Sequence, residues 1–104
     1  VATRVETAIR RTLGTDSCSR TVVARAMAMH PRTLYRRLER EGVTFDQIRD
    51  RVRREKAEYY LSKTNAPLSQ VAGILGYSEQ SMTRSCRRWF GETPHKFRAA
   101  CSQG

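Results

Sequence analysis

No run in this sequence is apolar for long enough to cross a membrane, and nothing resembles the apolar core of a secretory signal, so no stretch is read as a membrane span. Cysteine is scarce. Cys18, Cys86 and Cys101 are too few and too widely spaced for a disulfide framework or a zinc finger, which fits a reducing cytosol. The two histidines, His30 and His95, complete no ligand spacing, so neither a metal nor a cofactor is expected. There is no glycine-rich phosphate loop. Cys18 and Cys101, the candidate nucleophiles, have no nearby histidine with an orienting carboxylate, so catalysis is not expected. Strand-like alternation is missing as well, and the fold is expected to be all-α.

What the chain has in excess is positive charge. Twenty Lys+Arg stand against ten Asp+Glu, a formal charge of +10. Lysine occurs only at 56, 63 and 96, so seventeen of the twenty are arginine. The planar guanidinium fork suits bidentate contact with phosphate and with guanine. A basic surface kept for solubility, an acidic protein partner or a membrane surface are the competing readings of charge alone. The length of 104 residues allows one compact unit or two very small ones. Lobes of about 45 residues lie near the lower limit for independent folding. They should lean on whatever joins them.

The joining element is read as one long amphipathic helix over 44–64. Thr44 and Gln47 make a capping-box pair. Phe45, Ile48, Val52, Ala57, Tyr60 and Leu61 fall on one side, and Asp46, Arg49, Asp50, Arg53, Arg54 and Lys56 fill the rest. About 20 residues at about 1.5 Å each give a rod of about 30 Å. One turn of B-DNA is about 34 Å. Before this rod, a first helix over 2–13 carries Val5, Ala8, Ile9 and Leu13 and ends at Gly14. A second, capped by Ser19, carries Val22, Val23, Ala26 and Met27. A tight turn at 28–30 precedes Pro31, which opens a third helix reaching to about Glu41 with Leu34 and Leu38 inward. After the rod, Asn65-Ala66-Pro67 breaks the chain. Helix five spans about 67–75 and holds Gly73 in its interior, for which close packing against a neighbour is one reading. Helix six spans about 79–90, with Met82, Cys86, Trp89 and Phe90 apolar and Ser85 on its polar faces. Gly91 ends it, and Thr93-Pro94 starts a seventh helix reaching to about Cys101. The tail from Ser102 is expected to be loose.

The two ends of the chain repeat one pattern. Ala24 precedes Leu34 by ten positions, and Ala72 precedes Met82 by ten. Leu34/Leu38 corresponds to Met82/Cys86, and Arg36 to Arg84. Helix, tight turn and second helix with apolar residues at i and i+4 form a helix-turn-helix pattern, present twice. The expected organisation is a lobe over 1–43, a linker helix over 44–64 and a lobe over 65–104. If a straight rod keeps the two second helices about 30–35 Å apart, both meet the major groove on one side of a duplex, a turn apart.

These residues carry a family resemblance. Val23-Ala24, Pro31-Arg-Thr-Leu-Tyr-Arg-Arg-Leu38, Gly42, and Arg53, Ala57 and Leu61 in the spacer resemble the DNA-binding domain of the AraC/XylS (arabinose-operon regulator) family of bacterial transcription regulators. The second half is the more specific: Val71-Ala72, Leu75-Gly76-Tyr77-Ser78, Thr83-Arg84, Arg88-Trp89-Phe90-Gly91 and Thr93-Pro94-His95-Lys96-Phe97-Arg98. The resemblance covers about residues 4–98. It implies seven helices, two helix-turn-helix lobes and a linker helix, with promoter recognition and contact with RNA polymerase in the cytoplasm, at the nucleoid. It also implies an effector-binding or dimerisation domain N-terminal to this chain. Two departures stand out. The family usually has one more residue between the turn and the first apolar residue of helix six, a difference that would rotate or shorten the start of that helix. It also usually has Phe where Met82 and Cys86 stand.

On this resemblance Arg32, Tyr35 and Arg36 occupy base-reading positions, with Arg36 suited to guanine N7 and O6. Gln80, Ser81 and Arg84 are read as their counterparts, Gln80 for adenine and Arg84 for guanine. Arg37, Arg40, Thr83, Arg87, Arg88 and Lys96 are candidates for phosphate, with a solvated face as the alternative. The start of the seventh helix either holds a phosphate on its free N–H groups or is merely capped by Thr93. Trp89 and Phe90 read as core rather than as stacking platforms. The competing function is a basic helical module that binds nucleic acid without regard to sequence.

Overall fold

The computed structural model describes residues 1–102 and contains seven helices: α1 (Ala2–Thr12), α2 (Arg20–Ala26), α3 (Pro31–Arg40), α4 (Phe45–Lys63), α5 (Leu68–Leu75), α6 (Glu79–Phe90) and α7 (Pro94–Ser102). No strand occurs among the described residues. α7 takes in Ser102; the rest of the expected tail, Gln103 and Gly104, lies outside them.

Local chemistry sets most helix starts. Thr44 Oγ1 accepts the N–H of Gln47 at 3.1 Å while Gln47 Oε1 accepts that of Thr44 at 3.0 Å, the reciprocal pair that satisfies two otherwise orphaned donors. Ser19 caps α2 through the N–H of Val22, and Ser78 caps α6 through that of Ser81. α3 is capped differently. Nδ1 of His30 accepts the Arg32 N–H at 3.1 Å, and Pro31 occupies the first helical position, where its missing N–H costs nothing.

The contacts divide the chain into two units within α4, one of Val1–Val52 and one starting at Arg53. In the first, Val5 and Ile9 of α1, Val23 and Ala24 of α2, Leu34 and Leu38 of α3, and Phe45, Ile48 and Val52 of α4 form one core. Outside that core, Arg51 donates to Glu6 at 2.6 Å and so ties α4 to α1. In the second unit Ala57, Leu61, Val71, Ala72, Leu75, Met82 and Cys86 are buried. Arg98 donates to the carbonyls of Leu61 (Nε, 3.3 Å) and Tyr60 (Nη2, 3.2 Å), which ties α7 to the last turns of α4. Each unit thus takes part of its apolar or hydrogen-bonding complement from α4.

Three details depart from the sequence reading. Ser85, expected on a polar face, is buried beside Met82 and Cys86. The buried stripe runs i, i+3, i+4 from Met82, and a small hydroxyl fills its second position. Gly73 is not a close-packing site. A Cβ added there would meet nothing within 4 Å. Gly73→Ala should therefore raise stability by about 0.5–1 kcal/mol through helix propensity alone, read as a higher thermal midpoint. Trp89 and Phe90 are half-buried rather than sealed in. They meet each other edge-on at 5.9 Å, and Phe90 stacks on Phe97 at 4.2 Å.

Cys86 is in the core, as its apolar position suggested, and burial pushes its thiol up to about 11. The thiolate is the reacting species, so Cys86 should resist iodoacetamide at pH 8. Cys18 and Cys101, both partly exposed, should be alkylated in the native protein. Peptide masses before and after denaturation check this.

Candidate nucleic-acid interface

The two turn-and-helix units share a backbone pattern as well as a sequence pattern. In the first, the Met29 N–H reaches back to the Ala24 carbonyl at 2.9 Å, and in the second the Tyr77 N–H reaches the Ala72 carbonyl, also at 2.9 Å. The residue before each returning N–H has positive φ, Ala28 at 57° and Gly76 at 76°. A left-handed residue is needed there to reverse the chain out of the first helix, and glycine adopts it without the Cβ clash that Ala28 accepts. His30 and Ser78 then cap the second helices from equivalent places. Met29 to Leu34 and Tyr77 to Met82 are both five residues. α6 accordingly starts in the same register as α3, with Met82 and Cys86 buried where Leu34 and Leu38 are.

On α3, burial of Leu34 and Leu38 fixes which side faces out. Arg32, Arg36 and Arg40 recur at i, i+4, i+8 opposite that buried pair, and all three are exposed. Tyr35 lies on one flank, 52% exposed for so large a ring. Arg37 lies on the other flank. On α6, Gln80, Arg84 and Arg88 form the corresponding outward stripe, all exposed, with Arg87, also exposed, beside it.

The common register pairs Arg32 with Gln80, Tyr35 with Thr83 and Arg36 with Arg84, and it puts Ser81 opposite Thr33. Ser81 is partly buried and engaged in the α6 cap. Its N–H goes to Ser78 Oγ at 3.1 Å, and its hydroxyl oxygen accepts from Ser78 Oγ, also at 3.1 Å. Thr83 donates its hydroxyl to the Glu79 carbonyl at 3.0 Å, so it must release that bond before donating to a phosphate. At α7, Thr93 Oγ1 accepts the Lys96 N–H at 3.3 Å, while the Lys96 side chain is exposed. The guanidinium of Arg88 lies 5.5 Å from the centre of the Trp89 ring.

The arginines separate into those already used within the protein and those aimed outward. Arg49 is paired with Asp46 at 3.0 Å, Arg51 with Glu6, and Arg98 with backbone carbonyls. Arg53 donates from Nε to the Leu75 carbonyl at 2.8 Å. Nothing in helical spacing alone could have set Arg53 apart from Arg54, its neighbour on the polar side. Among the described residues no group of three or more His, Cys, Asp or Glu could hold a metal, and no helix is long and apolar enough to cross a membrane.

A family model described as a helix-turn-helix domain matches residues 23–100, and relatives and solved structures agree with it. The chain belongs to the AraC/XylS family. It is 50% identical over 97 residues to the HTH-type transcriptional regulator VirS of Mycobacterium tuberculosis, covering 92% of this chain and 28% of that protein. It is 41% identical over 76 residues to the HTH-type transcriptional regulator VqsM of Pseudomonas aeruginosa, covering 72% of this chain and 23% of that one. The chain therefore spans about a quarter of the length of these curated relatives. In fold it is similar to a DNA-binding transcriptional dual regulator of Escherichia coli K-12, with a TM-score of 0.91 at 23% identity, covering 99% of this chain and 93% of that one. As an AraC/XylS domain it is a DNA-binding helix-turn-helix domain of a transcription regulator.

Proposed function

We propose that this AraC/XylS domain recognises a particular promoter sequence by placing α3 and α6 in successive major grooves of one duplex. The carrying observation is the repeated turn, with Met29 on Ala24 and Tyr77 on Ala72 at the same distance. That pattern delivers two second helices of one register, each with a basic outward stripe. Arg32, Tyr35 and Arg36 read bases in one groove, and Gln80, Ser81 and Arg84 in the other. Arg37, Arg40, Thr83, Arg87, Arg88 and Lys96 hold phosphates and fix register without reading sequence. The lobes 1–43 and 65–104 are spaced by the linker 44–64. The helix α4 (Phe45–Lys63) carries that linker.

The domain forms the C-terminal part of a longer cytoplasmic regulator, with an effector-binding or dimerisation domain before it and RNA polymerase as a protein partner. That relatives of this segment are three to four times longer supports such a context. Binding without sequence preference would not require matched turns, since charge suffices for it. Selection of bound sites from random duplexes, followed by footprinting, tests the reading. Two protected major-groove patches about one helical turn apart are expected. Equal affinity for every duplex, with no footprint, would overturn it.

A further inference from the structure

Arg53 stands in α4, yet it holds the turn that launches α6 at two points. Its Nε–H donates to the carbonyl of Leu75 at 2.8 Å, the last residue of α5. Its guanidinium carbon lies 4.1 Å from the centre of the Tyr77 ring, two residues further on. Between them is Gly76, the left-handed residue of the turn. One planar group thus grips the chain on both sides of the pivot. The carbonyl it satisfies is one of those a helix C-terminus leaves without an intrahelical partner. The ring face attracts the cation most strongly where water is excluded, and Arg53 is partly buried. A lysine could supply the charge but not the fork and the flat stacking surface together.

We infer that Arg53 is the positioning residue for the second reading helix: its clamp on Leu75 and Tyr77 sets the direction in which α6 leaves the turn. The inference rests on the proposal that α6 reads bases. In this reading Arg53 acts through α6 and not on a base. Bidentate base contacts tolerate little misplacement, because both hydrogen bonds must be made at once. A small change in the angle of α6 then removes discrimination at Gln80 and Arg84 while leaving general attraction to the duplex in place.

The test uses the chain as it stands, with site selection from random duplexes and thermal melting on each variant. Arg53→Lys should relax base preference in the half-site read by α6, by roughly tenfold in discrimination, a figure within the range for one good bidentate pair. Preference in the half-site read by α3 should be unchanged. Tyr77→Leu, which removes the ring but leaves the bond to Leu75, should give a smaller loss in the same half. Should Arg53→Lys fail to fold, Tyr77→Leu decides alone. Unchanged preference in the α6 half, or an equal loss at all sequences, would overturn the inference. Arg84→Ala is the control. If that change leaves preference in the second half intact, α6 does not read bases there, and it is the parent proposal that fails.

Discussion

Replacing Leu38 by alanine is expected to destabilise the protein by about 2–5 kcal/mol, more than any surface change. Leu38 is 1% exposed and belongs to the core that joins α1, α2, α3 and the start of α4. Its removal forfeits the transfer of the side chain from water and leaves a cavity that a small core closes only in part. Whole domains are stable by about 5–15 kcal/mol, so the loss is a large share of the total. A domain of this size should then melt roughly 10 °C lower or more. Circular dichroism on heating measures it. A midpoint unchanged within experimental scatter would mean that Leu38 does not hold α3 in place as described. The same variant, held well below its midpoint, should keep the base preference of the parent, because Leu38 faces away from Arg36.

The second large effect lies on that opposite face. Arg36→Ala should weaken binding to the selected duplex by about 1–3 kcal/mol, and it should relax preference at one base pair. Arg36 is exposed and diametrically opposite the Leu34/Leu38 pair, so its loss has no packing component. Arg37→Ala gives the contrast. Its position on the flank of α3 suits a phosphate, and its removal should weaken all sequences alike and lower the salt slope by about one. Fluorescence anisotropy across a salt series, on the selected duplex and on single-base variants, separates the two. Equal losses with no change in base preference would sink the assignment of Arg36. The two arginines are adjacent and of one type, so any difference arises from geometry rather than charge.

Much of the architecture could be read from local patterns because local chemistry enforces it. The capping box at Thr44 and Gln47 is visible as two residues three apart and forms as those residues imply. Apolar spacing located α3 and α6 because a helix shows a 3.6-residue period whatever its surroundings. The duplication was legible at the level of Ala24/Leu34 and Ala72/Met82. It extends into the backbone, where Ala28 and Gly76 both adopt positive φ. The shortened approach to α6 appeared irregular beside the family pattern. Beside the first unit it is regular, since Met29 to Leu34 spans the same five residues.

Other features had no local signal. Histidine is not among the usual capping residues, so His30 gives no cap signal in the sequence. Only the position of Nδ1 against the Arg32 N–H reveals its use. Gly73 invited a packing explanation, and the open space around it removes that explanation.

The amino-acid order determined the helices, their caps and the repeated turn, since each depends on residues within a few positions of one another. That Arg53 and Arg98 are used inside the protein was decided by the folded chain alone. Arg53 meets a carbonyl 22 residues away and Arg98 one 37 residues away. A guanidinium has the same charge and the same helical address in either role. For these two, only the approach of a distant segment, bringing a helix-end carbonyl to 2.8–3.3 Å, makes the guanidinium structural.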